Sequence, residues 1–169
     1  MIILETTDLY LKTIEKEDTD ILYEKIFSNE ETMRSAFSTN ALTLDETKKF
    51  LYKNFCKNHS NKGLAPLFEK SSGQLVGIAG VLETNQIEAN SYTFSFVIID
   101  QFRQKGYAKQ IAKAQVLFAK KQLRQKYIFA SVHKEDLISK NILLNLSFQY
   151  QKDINVKDNE IREIYTKKL

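Results

Sequence analysis

Tyr92-Thr93-Phe94-Ser95-Phe96-Val97-Ile98-Ile99-Asp100 runs on through Gln101-Phe102 into Arg103-Gln104-Lys105-Gly106-Tyr107-Ala108. The first part is rich in aromatic and β-branched residues and reads as a strand buried on both faces. From Gly106 to Arg124 the apolar positions Ala108, Ile111, Ala112, Phe118 and Leu123 mark one side of a helix. A strand that feeds a glycine turn and then a helix suits phosphate for a physical reason. The first turn of a helix has N–H groups with no intrahelical acceptor, and the positive end of the dipole adds to them. Gly106 allows close backbone approach or a positive φ, Ala108 keeps the first turn uncrowded, and Arg103 and Lys105 add countercharge. Alone, Arg-x-x-Gly-x-Ala is a common pattern, so its surroundings decide its meaning.

Upstream, Leu9 to Ile14 alternates as a strand, and Glu15, Glu17, Asp18 and Asp20 place acid before the apolar Ile21, Leu22, Tyr23, Ile26 and Phe27 of a first helix. Thr43 with Glu46 is a capping-box pattern, opening a helix with Phe50, Leu51 and Phe55 on one face. Leu64–Glu69 and Leu75–Leu82 flank the turn signal Ser71-Ser72-Gly73 and predict an antiparallel hairpin. Downstream come a strand over Tyr127–Val132, a shorter helix over Asp136–Leu146, and two late strands near Phe148–Tyr150 and Ile161–Tyr165. The order β-α-α-β-β-β-α-β-α-β-β predicts a mixed α/β fold with helices on both faces of its sheet.

The 169 residues suit one domain spanning 1–169, and with 43% hydrophobic and 27% charged residues the chain has the balance of a soluble protein. Its apolar runs are too short to span a bilayer, and Met1-Ile2-Ile3-Leu4-Glu5 lacks the features of a signal peptide. The lone Cys56 has no partner for a disulfide, and no Cys/His group has zinc-ligand spacing, so no metal and a cytoplasmic address are expected. The net charge of +4 makes anionic ligands plausible. The densest basic patch runs from Arg103 through Lys109, Lys113, Lys120 and Arg124 to Lys126; it reads mainly as one solvated helix side. Aromatic residues are not interleaved with it on one strand face, which argues against nucleic acid.

On these residues the chain resembles the GNAT acetyltransferase superfamily. That family's signature, Arg/Gln-x-x-Gly-x-Gly/Ala between its fourth strand and third helix, is matched by Arg103, Gly106 and Ala108, with Phe96–Asp100 as the strand leading in. Gln104 stands where a first Gly is often seen. The later Asn-x-x-Ser motif lies nine residues before the Phe of a Gly-Phe pair. Ser139 and Phe148 keep that spacing, with Asp136 in place of Asn and Ser147 in place of Gly. Glu5-Thr6 to Leu11, Glu17-Asp18 and Glu31-Thr32-Met33-Arg34 are similar to the branch of ribosomal-protein N-terminal acetyltransferases, with Asp8 where an Arg is common. The resemblance implies a mostly antiparallel sheet of six to seven strands and acetyl-CoA as co-substrate. Backbone edges of Phe96, Val97 and Ile98 would then meet the pantetheine arm. Arg103, Gln104, Lys105, Gly106, Tyr107 and Ala108 would cradle the pyrophosphate, and Asp136, Ser139 and Asn141 would lie near the thiol half. An amine, a protein N-terminus or a small molecule, would meet the thioester where the family's fourth and fifth strands splay apart. A homodimer stays open.

Acetyl transfer to an amine needs a base, a donor for the departing thiolate and an N–H for developing negative charge. The family's fourth-strand Glu falls at Thr93 and its general-acid Tyr at Leu143, neither able to do that work. Ser139 is the remaining donor, and also reads as an ordinary helix side chain. Glu69, Glu83 and His133 are base candidates by nearness to strands; the two acids read first as solvated strand ends and His133 as a hydrogen-bonded structural residue. Cys56 beside Phe55 on a helix reads as packing, His59 as a surface loop residue, and Tyr150 as core first and as a lining of the slot between the parted strands second. The absent Glu and Tyr also admit a non-catalytic acyl-CoA-binding module.

Overall fold

A computed structural model describes residues 1–57, 60–157 and 159–169; the expectation for His59 lies outside them. The elements run β1 (Ile2–Glu5), β2 (Leu9–Lys12), α1 (Asp18–Leu22), a π-helical turn (Tyr23–Phe27), α2 (Glu30–Phe37), α3 (Leu44–Asn54), β3 (Gly63–Glu69), β4 (Leu75–Thr84) and β5 (Ser91–Ile98). A 3₁₀ turn (Asp100–Phe102) leads to α4 (Tyr107–Lys121), β6 (Tyr127–His133), α5 (Leu137–Asn145), β7 (Gln149–Asn155) and β8 (Ile161–Lys168).

The sheet has eight strands in the order β1-β2-β3-β4-β5-β6-β8-β7, where six to seven were expected. The difference lies at the amino end. Ile2–Glu5 carries too short an alternation to read as a strand, yet it pairs antiparallel with β2 across a tight connection. The expected helices and hairpin are present, and α2 is additional. Its eight residues hold one buried side chain, Met33, too little apolar periodicity for the sequence to reveal. The Asn29 side chain caps it by accepting from the Thr32 N–H at 2.9 Å.

Helices cover both faces. On one, Leu22, Ile26, Phe27, Met33, Leu51 and Phe55 pack against Leu64, Phe68, Ile78 and Val97. Phe27 lies 5.1 Å from Phe50 and 6.1 Å from Phe55 between ring centroids, each tilted pair adding about 0.5–1.5 kcal/mol beyond area burial. Thr43 and Glu46 close the capping box expected for α3, and the helix ends at Asn54, so Cys56 lies past it and is buried beside β3. On the other face, Ile111, Ala112, Val116, Phe118 and Ala119 of α4 pack against β4, β5 and β6. Tyr150, read as core, is 53% exposed because β7 is the edge strand and pairs only with β8.

Gly77 of β4 pairs with Ile98 of β5. A Cβ there would stand 1.9 Å from the Val97 carbonyl oxygen. Gly77→Ala is expected to push β5 away and cost about 1–3 kcal/mol, read as a lowered denaturant midpoint with unchanged slope.

Candidate active site: a parted strand pair and an open helix terminus

Of the seven neighbouring strand pairs among the described residues, only β5 and β6 are parallel, and they pair at one register position, Thr93↔Phe129. Beyond it the strands separate. On its other side β5 is held by β4 in unbroken register from Ser91 to Ile98, extended by the Ile99 N–H donating to the Val76 carbonyl at 2.9 Å. Antiparallel alternation then turns the peptide groups of Phe96 and Ile98 toward the gap. Those of Val97 turn to Ile78 of β4. The Ile98 carbonyl accepts from Arg103 Nε at 3.3 Å.

The turn after β5 changes direction through two left-handed residues, Gln104 at φ 63° and Gly106 at φ 78°. Successive N–H groups in such a turn converge into an anion-binding concavity. Among the described residues no acceptor meets the backbone N–H groups of Gln104 through Lys109, and Gly106 caps α4 without a side-chain bond. A Cβ on Gly106 would meet nothing within 4 Å, so the concavity opens outward. Arg103 lies at its edge, paired with Asp100 at 3.0 Å. Six unsatisfied donors at the positive end of a fifteen-residue helix fit a pyrophosphate in number and charge.

Across the gap, Asp136 accepts from the Ser139 N–H at 3.0 Å and so caps α5. The Ser139 hydroxyl is half-buried with no partner among the described residues, and Asn141 is exposed on the next turn. Leu143, where the family's Tyr would stand, is a core residue 1% exposed.

The base candidates separate. Glu83 shares one oxygen between Lys62 at 2.9 Å and the Tyr92 hydroxyl at 2.6 Å, and both donors lower its pKa. Glu69 is 8% exposed rather than solvated. It accepts from the Ser72 hydroxyl at 2.6 Å and from the Tyr107 hydroxyl, and pairs with Lys105 at 3.4 Å. Those three partners, Ser72 first, hold its pKa down to about 2. A carboxylate so stabilised is a poor base. His133 accepts from the Glu135 N–H at Nδ1 (3.2 Å), so in the neutral ring the proton is on Nε2, facing Glu160 Oε1 at 3.4 Å. Both ring nitrogens are thereby engaged.

Glu160 is the acid that sequence reading missed. It lies in the loop between β7 and β8, where no periodicity or motif marks it. Its Oε1 also accepts from the Ser38 hydroxyl at 3.0 Å. Ser38 ends α2 in left-handed conformation, φ 54°, and accepts in turn from Arg162 at 3.1 Å. Arg162 is buried and further donates to the Ser35 carbonyl and to Ser131, fastening α2 to β6 and β8. Nothing among the described residues forms a His/Cys/Asp/Glu group able to hold a metal, and no described helix is long and apolar enough to cross a membrane.

Residues 8–149 match the family described as Acetyltransferase (GNAT) domain. The chain belongs to the GNAT acetyltransferase family. Acetyl-CoA is therefore its co-substrate, and the family's fold is what the sheet displays. Comparison with curated proteins returns no match. Among solved structures, the acetyltransferase resembles a GNAT-family acetyltransferase from Bacillus anthracis at TM-score 0.81 and 18% identity, covering 99% of this chain and 98% of that one. It also resembles RimL, a ribosomal L7/L12 alpha-N-protein acetyltransferase in complex with coenzyme A (TM-score 0.78, 12% identity, 100% and 98% covered). A spermidine N-acetyltransferase from Vibrio cholerae, in complex with CoA and spermine, aligns at 0.79 and 16% identity, with 96% of each chain covered. At these identities the likeness is one of fold.

The depressed Glu69 pKa has a stability consequence with a defined sign. A carboxylate lowered from 4.5 to about 2 contributes stability that is fully present above pH 4.5 and lost as pH falls toward 2. Chemical denaturation of the acetyltransferase across that window should show a pH slope that Glu69→Gln flattens.

Proposed function

We propose that this acetyltransferase acetylates an amine by direct attack within a ternary complex, with a protein N-terminus as the favoured acceptor. The observation that carries the reading is the run of unpaired amides from Gln104 to Lys109 at the end of a strand whose peptide groups face a gap. In this reading Arg103 through Ala108 bind the pyrophosphate by backbone N–H groups and countercharge. Phe96 and Ile98 align the pantetheine arm, and Asp136, Ser139 and Asn141 flank the thiol end.

The amine arrives protonated, so a base must take one proton before nitrogen can bond to the acetyl carbon. Glu160 serves through a bridging water, oriented by Ser38 and His133. As the new C–N bond forms, the C–S bond breaks. The Ser139 hydroxyl donates to the departing thiolate, while a gap-facing N–H of β5 offsets charge on the carbonyl oxygen. His133 steadies the base in place of acting as one.

A protein N-terminus is favoured over a polyamine because of the charges on the α2 face. A cleft of about 90 Å³ between the π-helical turn, α2 and the end of β5 is lined by Lys25, Asn29, Thr32 and Asp100 beside apolar residues. Its one carboxylate is already paired with Arg103. A polycation would need several free acids there, whereas a single amine on a peptide needs none.

Measurement of free CoA release across peptides beginning with different residues and across small amines tests the reading. Turnover is expected with at least one peptide, abolished in Gly106→Trp, whose side chain would fill the concavity. Tight acetyl-CoA binding without turnover on the whole panel would instead support a non-catalytic acyl-CoA-binding module. Glu160→Gln and Ser139→Ala should each lower kcat by about 10²-fold with acetyl-CoA affinity unchanged.

A further inference from the structure

The pyrophosphate turn has two residues in left-handed conformation and no backbone bond closing its amides, so something other than its own ladder must hold its shape. The neighbouring hairpin supplies it. Glu69 ends β3, and its backbone also joins the hairpin turn: its N–H donates to the Gln74 carbonyl at 3.0 Å and its carbonyl accepts from the Gly73 N–H at 2.9 Å. One carboxylate oxygen is fixed by the Ser72 hydroxyl of that turn. The other reaches α4, accepting from the hydroxyl of Tyr107, the first residue of the helix, and pairing with Lys105 inside the turn. The Lys105 ammonium rests beside the Phe102 and Tyr107 rings, 5.2 and 5.7 Å from their centroids. A single carboxylate thus ties both sides of Gly106 to a rigid hairpin.

We infer that Glu69 is a positioning residue for the coenzyme: through Tyr107 and Lys105 it sets the conformation of the Gln104–Lys109 amides and keeps the Lys105 ammonium beside the site. This rests on the reading of that turn as the pyrophosphate site. Glu69 itself touches no part of the coenzyme. Its negative charge beside an anion site is offset by the Lys105 ammonium and by two hydroxyl donors, so holding the turn outweighs repelling the phosphate. The low pKa keeps the carboxylate ionised throughout the physiological range.

The test compares two donors, acetyl-CoA and S-acetylpantetheine, which lacks the nucleotide and its phosphates. Calorimetric affinity is measured for the wild type, Glu69→Gln and Tyr107→Phe. Each variant is expected to weaken acetyl-CoA about tenfold while leaving S-acetylpantetheine within twofold, with displaced ³¹P resonances of the bound pyrophosphate. Tyr107→Phe removes the link without changing charge or shape, so it stays informative if Glu69→Gln folds poorly. Equal weakening of both donors would mean that Glu69 only stabilises the fold. Unchanged or tighter acetyl-CoA binding would mean that its charge, and not its bonds, governs; either result overturns the inference. Gly106→Trp separates this failure from that of the site itself. If it leaves acetyl-CoA affinity intact, the pyrophosphate does not bind at the turn. If it abolishes binding while both other variants behave as wild type, only the role of Glu69 falls.

Discussion

A sheet strand ordinarily satisfies its peptide groups on both sides, and β5 does so only as far as Thr93. Past that point β4 still holds one edge while β6 has turned away, leaving the peptide groups of Phe96 and Ile98 facing a gap. Buried peptide groups without partners are costly, and on this edge Arg103 Nε already completes the Ile98 carbonyl. The site depends on this parting. It opens the sheet at its centre, lets helices on opposite faces approach the same space, and delivers the chain into the turn before α4.

The two sides of the gap present different electrostatic problems. At the turn lie six unbonded amides and two basic side chains, and one buried carboxylate, Glu69, bonds to Lys105 and Tyr107 on either side of Gly106. On the α2 side, Arg162 is the buried charge, and its bonds to Ser35, Ser38 and Ser131 join three elements that the chain brings together from distant positions. Through Ser38 that guanidinium reaches Glu160, and Glu160 reaches His133. The Glu160 carboxylate and the turn before α4 are thereby kept apart, each with its own support.

The turn before α4 was legible because its chemistry is local. Helix termini, a residue able to take positive φ and adjacent basic residues all lie within six positions, Arg103 to Ala108. Gln104 shows how far such reading goes: it stands where a glycine is frequent and still adopts φ 63°. The capping box at Thr43 and the hairpin around Gly73 were equally readable, since turn and cap chemistry act over three or four residues. β1 and α2 escaped, being short and supported by tertiary packing instead of by their own periodicity. Glu69 and Tyr150 were misjudged for one reason: strand sequence does not say whether a neighbour covers the residue.

The amino-acid sequence by itself determined the order of elements, the α/β class, the anion-seeking turn and the family resemblance, because each is written in short-range spacing. Only the tertiary structure decided which peptide groups of β5 face the gap, that Glu69 is tied to Tyr107 and Lys105, and that Glu160 stands with His133 and Ser38. Those facts depend on strand order and on contacts between residues dozens to more than a hundred positions apart. Pairing at that range is set by how the whole chain buries its apolar surface, and no local pattern encodes it.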